Sequence, residues 1–353
     1  MSIVVVDARD AFAAPLRGWG RHVLGLVEHL PDALGDDLTL RVVRDAHDPD
    51  AGVLAARAPE VVFEQVGLPR IAGRAGAALV HAPNCFLPLR RPCAGVVTIH
   101  DLAFESHPED FSRRTGMKYR WVTPRAARSA EAVICVSTWT AEDVATRYGI
   151  DPARIRVIPN APSLPVGDGP AGLAAAGLPD DGRPYLLAIG DIRGKKNLTR
   201  LAEAWQALRE QEGLTHRLVL AGVGEPGPAA SSAAFADVEF SGYLADGRLD
   251  ALLRGAAALV HPSLYEGFGL VIAEAMTRGI PVACADATAL PETAGGAAVL
   301  FDPLDTDAIA AAILQALDRR DDLAAAGRAV AGAYSWERTA RETVAVYREV
   351  LAA

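Results

Sequence analysis

No stretch of this chain approaches the ~18 consecutive apolar residues that a membrane-spanning helix needs. Its first residues, Met-Ser-Ile-Val-Val-Val-Asp, lack the basic region and cleavage site of a secretory leader. The expectation is a protein that neither spans a membrane nor is exported. Cysteine is scarce: Cys85, Cys93, Cys135 and Cys284 show no paired metal-ligand spacing and no disulfide-framework density. A reducing, cytoplasmic setting fits that usage. Positive charge is in deficit, with 35 Lys and Arg against 44 Asp and Glu and a net charge of −9. Non-specific nucleic-acid binding relies on net positive surface, so no nucleic-acid partner is expected.

Half of the 353 residues are apolar, which predicts a folded chain with room for about two domains. Val-rich runs at 2–8, 38–43, 61–66, 77–81 and 95–100 read as strands. Between the first two, Val23, Leu26, Val27 and Leu30 recur at helical spacing over 22–30. A further strand at 132–137 and a helix near 140–148 continue the alternation, which predicts an α/β fold with a parallel sheet covered on both faces. Residues 160–184 are dense in Pro, Gly, Asp and Ala, the composition of a linker. The alternation then restarts, with strands at 185–190, 217–221, 238–241, 281–285 and 297–301, a turn around Pro291-Glu292 and helices to the end. The division read from this is a first domain over 1–165, a linker over 166–184, a second domain over 185–334 and a terminal helix over 335–353.

The most informative stretch is 258–282, which reads as strand, glycine-rich turn, helix and strand. Pro262, Gly267 and Gly269 build a turn whose backbone N–H groups face a ligand unobstructed. The helix that follows puts its positive end there, which suits phosphate or another oxyanion, and Gly279 closes it. Glu266 precedes the helix and Glu274 lies inside it, leaning back toward the turn. From the residues alone, a capping acid and a solvated helix position explain the two equally well.

Other candidates are placed by position. Gly18 and Gly20 sit between the first strand and its helix, either as a phosphate or sugar approach or as an ordinary flexible connection. His100-Asp101 falls at the carboxyl end of a strand, where open α/β sheets bind ligands, though a satisfied structural histidine is as good a reading. Lys195 and Lys196 stand in a turn before a helix and suit a diphosphate leaving group, or are plain surface lysines. Gly222-Val-Gly-Glu-Pro-Gly227 matches the G-x-G-x-x-G dinucleotide fingerprint and keeps an NAD-dependent oxidoreductase as runner-up. Pro226 and Pro228, the place at a second strand and the want of a following amphipathic helix speak against it. Asp305-Thr-Asp307 has the form of a metal-binding pair but is read as the cap of a helix over 308–317. Residues 112–130 hold six Lys or Arg and no acid, with Phe111, Tyr119 and Trp121 among or beside them. They form a solvated helix face, or else meet anionic lipid or an anionic acceptor.

In their order these motifs resemble glycosyltransferase family 4 over nearly the whole chain. Glu266-Gly-Phe-Gly-Leu…Glu274 matches that family's E-x7-E motif. His100-Asp101, Val136-Ser137, Val157-Ile-Pro-Asn160, Gly190…Lys196-Asn197, Pro281-Val282, Leu290-Pro-Glu292 and Ser335-Trp-Glu337 follow its sequence of motifs. The resemblance implies the GT-B fold, two Rossmann-like parallel-sheet domains facing across a cleft, with the last helix crossing back to the first. It implies retaining transfer of a hexosyl group, mannosyl ahead of glucosyl, from GDP-mannose or a UDP-hexose, with no metal and no other cofactor. The acceptor would be a hydroxyl of a glycan, a polyprenyl-linked glycan or a small molecule, with a peripheral contact at the inner membrane face offered by 112–130. A non-catalytic sugar-nucleotide-binding protein is the other alternative.

The family assigns roles by position. Glu266 and the backbone of Gly267, Phe268, Gly269 and Leu270 would hold donor-sugar hydroxyls and phosphate, and Glu274 the ribose. Lys196, with Lys195 where the family often has Arg, would stabilise the departing diphosphate. His100 would touch the donor sugar, Gly18 and Gly20 would lie near the phosphate, and Tyr243-Leu244 near the base. Arg17 and Trp19 depart from the family's N-terminal loop, and Asn160-Ala-Pro from its usual Asn-Gly-Val, the first change narrowing the acceptor side and the second stiffening the hinge.

Overall fold

Runs such as Val4-Val5-Val6, all fully buried, need apolar cover on both faces, and a parallel sheet between helices supplies it. The computed structural model describes the chain except residues 14, 15, 17, 46, 52–59 and 223–232. It divides into two units, Met1–Ser163 with Tyr334–Ala353, and Leu164–Ala333.

The sheet of the first unit comprises β1 (Ser2–Asp7), β2 (Leu38–Val43), β3 (Leu79–Ala82), β4 (Ala94–Ile99), β5 (Ala132–Cys135) and β6 (Ile155–Val157). Its order is β2-β1-β3-β4-β5-β6 and all pairs are parallel. The covering helices are α1 (Gly18–Leu34), α2 (Leu68–Ala75), α3 (Arg113–Ser129) and α4 (Thr138–Tyr148). α1 buries Val23, Leu26, Leu30 and Leu34, one stripe at helical spacing. Ser112 and Ser137 start α3 and α4 by accepting the Thr115 and Thr140 N–H groups, each at 3.1 Å. Residues 61–66, expected as a strand, are instead helical and run on into α2. Phe63, Leu68, Ile71 and Ala72 are its buried apolar positions. A short apolar run carries no period that separates strand from buried helix, which is why the expectation went the other way.

The sheet of the second unit comprises β7 (Tyr185–Ile189), β8 (Arg217–Ala221), β9 (Glu239–Gly242), β10 (Ala258–His261), β11 (Val282–Ala285) and β12 (Val299–Phe301). The order is β12-β11-β10-β7-β8-β9, again parallel throughout. Its helices are α5 (Leu198–Gln211), α6 (Asp246–Gly255), α7 (Leu270–Thr277), α8 (Leu290–Ala294), α9 (Thr306–Asp318) and α10 (Arg320–Ala331). α8 replaces the expected turn at Pro291-Glu292, because Pro in a first helical turn gives up no hydrogen bond. Asp305 accepts the N–H groups of Asp307 (2.9 Å) and Ala308 (3.2 Å), so Asp305 of the Asp305-Thr-Asp307 pair caps α9.

Residues 166–184 are not a separate linker but part of this second unit. Leu173 and Ala176 sit in its core. Arg254 donates to the carbonyls of Gly169 and Pro170, and Arg248 to that of Ala176. A Pro- and Gly-rich composition records broken helices and says nothing about whether the segment packs. The last helix, α11 (Trp336–Ala352), belongs to the first unit and lies along α1. Gly25 permits that contact, since a Cβ there would stand 2.4 Å from the Trp336 ring. Tyr347 Oη meets His81 Nδ1 at 2.7 Å on the same face.

Among the described residues no helix is long and apolar enough to cross a membrane, and no group of three or more His, Cys, Asp or Glu has the arrangement of a metal site.

Candidate functional site

In each sheet the chain leaves its first strand in one direction and later returns on the other side. This opens a crevice at the carboxyl ends of β1 and β3 in one unit and of β7 and β10 in the other. In the second unit that crevice gathers the charged candidates. After β7 the chain passes Gly190, where a Cβ would lie 3.2 Å from the Lys196 side chain, so the lysine stem crosses bare backbone. A 3-10 turn, Gly194–Lys196, ends at Asn197 in the left-handed region (φ +53°). The Asn197 amide donates to the carbonyls of Pro262 (3.1 Å) and Pro303 (2.7 Å), and Lys195 O accepts from Leu264 N–H (2.8 Å). These bonds sew the turn after β7 to the turn after β10.

Lys196 Nζ then lies 2.5 Å from Glu266 Oε1, and His261 Nε2 lies 3.3 Å from the same oxygen. The Glu266 N–H donates to Thr288 Oγ1 at 3.0 Å, and Ser263 Oγ is 3.2 Å from His261 Nε2. Burial pushes the Glu266 carboxyl up, but Lys196, His261 and Lys195 outweigh it and hold the group well below the usual carboxylate range. Burial also lowers His261 against the pull of Glu266, leaving a neutral imidazole. The result is an ionised carboxylate with a lysine and a histidine already aimed at it.

From Glu266 the chain enters α7 through Gly267, Phe268 and Gly269. Gly269 has φ +97° and a Cβ there would meet Leu290 at 2.8 Å, so no other residue fits without strain. Phe268 is buried, and its carbonyl accepts the Thr293 hydroxyl. Leu270 begins α7, where the Ile272 N–H already donates to Gly269 O at 2.9 Å and the positive end of the helix favours an anion. Glu274 is buried on this helix, and its Oε1 accepts Leu164 N–H at 3.2 Å. It thus helps fix the entry of the second unit, together with Arg278, which donates to Leu164 O at 2.9 Å and to Asp250 at 2.8 Å. Tyr243 follows β9 and is 59% exposed, whereas Leu244 is a core residue with no side-chain surface for a base. The fingerprint at Gly222–Gly227 falls, after its first glycine, outside the described residues.

The first unit holds the remaining candidates. His100 follows β4 and donates its Nε2–H to Pro83 O at 2.8 Å, which makes Nδ1 the acceptor. Burial lowers its pKa, so it is neutral. His22, which sequence reasoning missed, lies edge-on to it with ring centroids 4.6 Å apart and is bonded through Nδ1 to Asn160 Oδ1 at 2.7 Å. Gly18 and Gly20 are not a loop but the first turn of α1. A Cβ at Gly20 would come 2.5 Å from the Asp10 carbonyl, so this glycine serves close packing. Trp19 is 42% exposed beside them, and Arg17 lies outside the described residues.

The basic stretch forms α3, and several of its cations are engaged inside the unit. Lys118 contacts Glu60 and Glu64 at 2.8 Å each, Arg120 donates to Phe104 O and Arg128 to Tyr148 O. Sequence reasoning also left His261 and Thr288 without a role. The signal for His261 was its place at the end of a strand, the same one that marked His100.

Residues 16–162 match the family model described as Glycosyltransferase Family 4, and residues 183–319 the one described as Glycosyl transferases group 1. The chain is 32% identical over 299 residues to the O-antigen chain mannosyltransferase B of Escherichia coli, an alignment covering 76% of this chain and 74% of the relative. It is 31% identical over 250 residues to the MMP alpha-(1->4)-mannosyltransferase of Mycolicibacterium hassiacum, covering 65% of this chain and 56% of that one. Among solved structures, sucrose-phosphate synthase from Thermosynechococcus elongatus aligns over 100% of both chains with a TM-score of 0.73 at 22% identity. The catalytic domain of starch synthase IV from Arabidopsis thaliana, bound to ADP and acarbose, does so with a TM-score of 0.71 at 12% identity. These two likenesses speak for the fold alone.

Proposed function

The chain belongs to glycosyltransferase family 4, with the GT-B fold, and on that premise we propose that it moves a mannosyl group, with glucosyl next, from GDP-mannose or a UDP-hexose with retention of configuration. It is a glycosyltransferase acting on a nucleotide-sugar donor; the sugar, the stereochemistry and the acceptor are the proposed part. The acceptor hydroxyl is assigned to a glycan, polyprenyl-linked or small molecule. The mannosyl choice is supported by the names of the two bacterial relatives.

The observation that carries the reading is the Lys196–Glu266–His261 cluster at the mouth of β7 and β10. Loss of a nucleoside diphosphate from a sugar builds negative charge on the phosphate and positive charge at the anomeric carbon. Lys196, Lys195 and the N–H groups of the 267–270 turn answer the first without requiring a metal ion. Glu266, ionised at neutral pH, accepts from donor-sugar hydroxyls. The neutral His100 accepts a sugar hydroxyl at Nδ1. Retention follows from front-face attack in which a leaving-phosphate oxygen takes the acceptor's proton. For Glu274 the family's ribose role stands beside its bond to Leu164. A peripheral contact with anionic lipid in the cytoplasm is assigned to the exposed Arg113 and Met117 of α3.

Turnover of a panel of sugar nucleotides, followed by mass, tests the reading on the wild type, Glu266→Ala and Lys196→Ala. GDP-mannose is expected to react fastest, with both variants strongly impaired. Equal turnover in both variants and the wild type removes the site assignment, and a preference for NAD over every sugar nucleotide removes the function.

A further inference from the structure

The crevice at the carboxyl ends of β1 and β3 in the first unit has no counterpart of the Lys196–Glu266–His261 cluster, its own lining ion pairs being those of Lys118 with Glu60 and Glu64, yet it is a formed pocket of about 880 Å³. That volume lies within the range of small-ligand sites. We propose that this pocket takes the acceptor as a saccharide carrying an anionic group, phosphate or carboxylate, with Asn84 and Asp10 reading its hydroxyls, Trp121 its ring and Arg114 its charge. This deepens the glycosyltransferase reading and rests on it.

Asn84 supplies the strongest mark of a missing ligand. The residue is 9% exposed, Nδ2 donates to the Asp10 carboxylate, and Oδ1, although buried, has no hydrogen-bond partner among the described residues. An unsatisfied buried carbonyl of this kind is destabilising until a donor reaches it. A hydroxyl entering the pocket that Asn84 lines would donate to Oδ1, and a neighbouring hydroxyl would donate to Asp10. Two acceptors fixed side by side in this way suit vicinal hydroxyls of a sugar.

Trp121 is 53% exposed on the pocket wall, with the Arg125 guanidinium stacked on it 4.3 Å from the ring centroid. Arg125 also donates to Trp121 O at 2.6 Å, so the indole is held while one face stays available to the apolar face of a pyranose. The lining carries Arg114, Lys118, Arg120 and Arg125 against Asp10 and Glu60, a cationic balance in a protein of net charge −9. Lys118 is taken up by Glu60 and Glu64, whereas Arg114 is exposed and has no ion pair among the described residues. The anion of the saccharide is therefore placed on Arg114, which offers paired N–H donors to phosphate or carboxylate.

Calorimetric titration of the full chain with mannose, mannose 6-phosphate, glucuronate and inorganic phosphate, each with and without saturating GDP, tests this. Both anionic sugars are expected to bind at least about tenfold tighter than mannose, and mannose 6-phosphate tighter than phosphate alone, in the presence of GDP. Arg114→Ala is expected to lose about tenfold for the anionic sugars and to leave mannose unchanged. Trp121→Ala is expected to weaken all three sugars. Arg341→Ala, an exposed cation on α11, is the control for general charge loss.

No preference for the anionic sugars, or full retention of that preference by Arg114→Ala, overturns the proposal. So does binding of phosphatidylglycerol vesicles that competes with no sugar and is lost in Arg114→Ala, which makes the surface a membrane contact. Failure of the wild type to bind GDP or UDP at all is a separate result and overturns the donor reading instead.

Discussion

The two crevices differ in what their polar groups already touch. Between β7 and β10 the carboxylate of Glu266 has a lysine at 2.5 Å and a histidine at 3.3 Å, and the surrounding turns are tied by Asn197. Between β1 and β3 a buried amide oxygen has no hydrogen-bond partner, and Arg114 beside the exposed indoles has no ion pair, among the described residues. A pre-set charge constellation needs no rearrangement when charge develops on a leaving group. A part-satisfied pocket gains its last hydrogen bonds only from a ligand. Changes in the second unit's crevice should therefore register in turnover, and changes in the first unit's crevice in affinity for the saccharide.

The largest effect is expected from Lys196→Ala. It withdraws a cation from the departing diphosphate and also leaves Glu266 without its nearest counter-charge. Loss of one such preorganised group lowers kcat by ~10²–10³-fold, and Lys196→Arg should recover part of it because the charge returns. Steady-state rates on the preferred sugar nucleotide measure this. A fall of less than about threefold, against that ~10²-fold scale, breaks the contrast between the two crevices.

A smaller effect concerns the support beneath the first crevice. Burial pushes Glu64 up to about 7, against the pull of Lys118 and Arg9, from an ordinary value of 4.5. The folded chain then binds more protons at Glu64 than the unfolded chain does between about pH 4.5 and 7. Stability from this group is present below that window and is lost as pH rises through it, by at most about 3 kcal/mol. Buried His22 and His81 act in the opposite sense, since their lowered values give stability that is lost as pH falls below the imidazole range. The readout is thus a difference: denaturation midpoints of Glu64→Gln minus wild type should climb between pH 5 and 8. A difference independent of pH would mean that Glu64 titrates at an ordinary value.

Much of the second crevice was legible because its residues are close in sequence. Glu266, the glycines of the 267–269 turn and α7 fall within one strand–turn–helix unit, and the local cap at Asp305 was read correctly from its spacing. His261 belonged to an apolar run and was read as strand, so its contact with Glu266 emerged only from the geometry of the turn. The first crevice was illegible for a different reason. Asp10 and Asn84 are 74 residues apart, and the bond between them exists only because β1 and β3 are sheet neighbours. Gly20 shows a third kind of failure: the sequence leaves a ligand approach and a flexible connection both open, whereas the missing Cβ accommodates a backbone carbonyl. The 166–184 segment likewise hid its partners, since Arg248 and Arg254 reach it from more than 70 residues away.

The smallest effect expected is at Tyr243, and it sharpens the contrast within the second unit itself. β9 is separated from β7 by β8, so the residue after it stands ~10 Å along the sheet from the charged cluster. Its ring is 59% exposed, whereas Leu244 next to it is core. A half-open aromatic face contributes about 1 kcal/mol to stacking on a base, and little to charge developing at the phosphate. Tyr243→Ala should therefore weaken GDP or UDP binding about fivefold while kcat and the melting temperature stay near wild type. Competitive inhibition by the two nucleotides measures the affinity. If kcat falls with it, the chemistry depends on a contact outside the Lys196–Glu266 cluster, and the division between a binding edge and a reacting centre in this unit has to be redrawn.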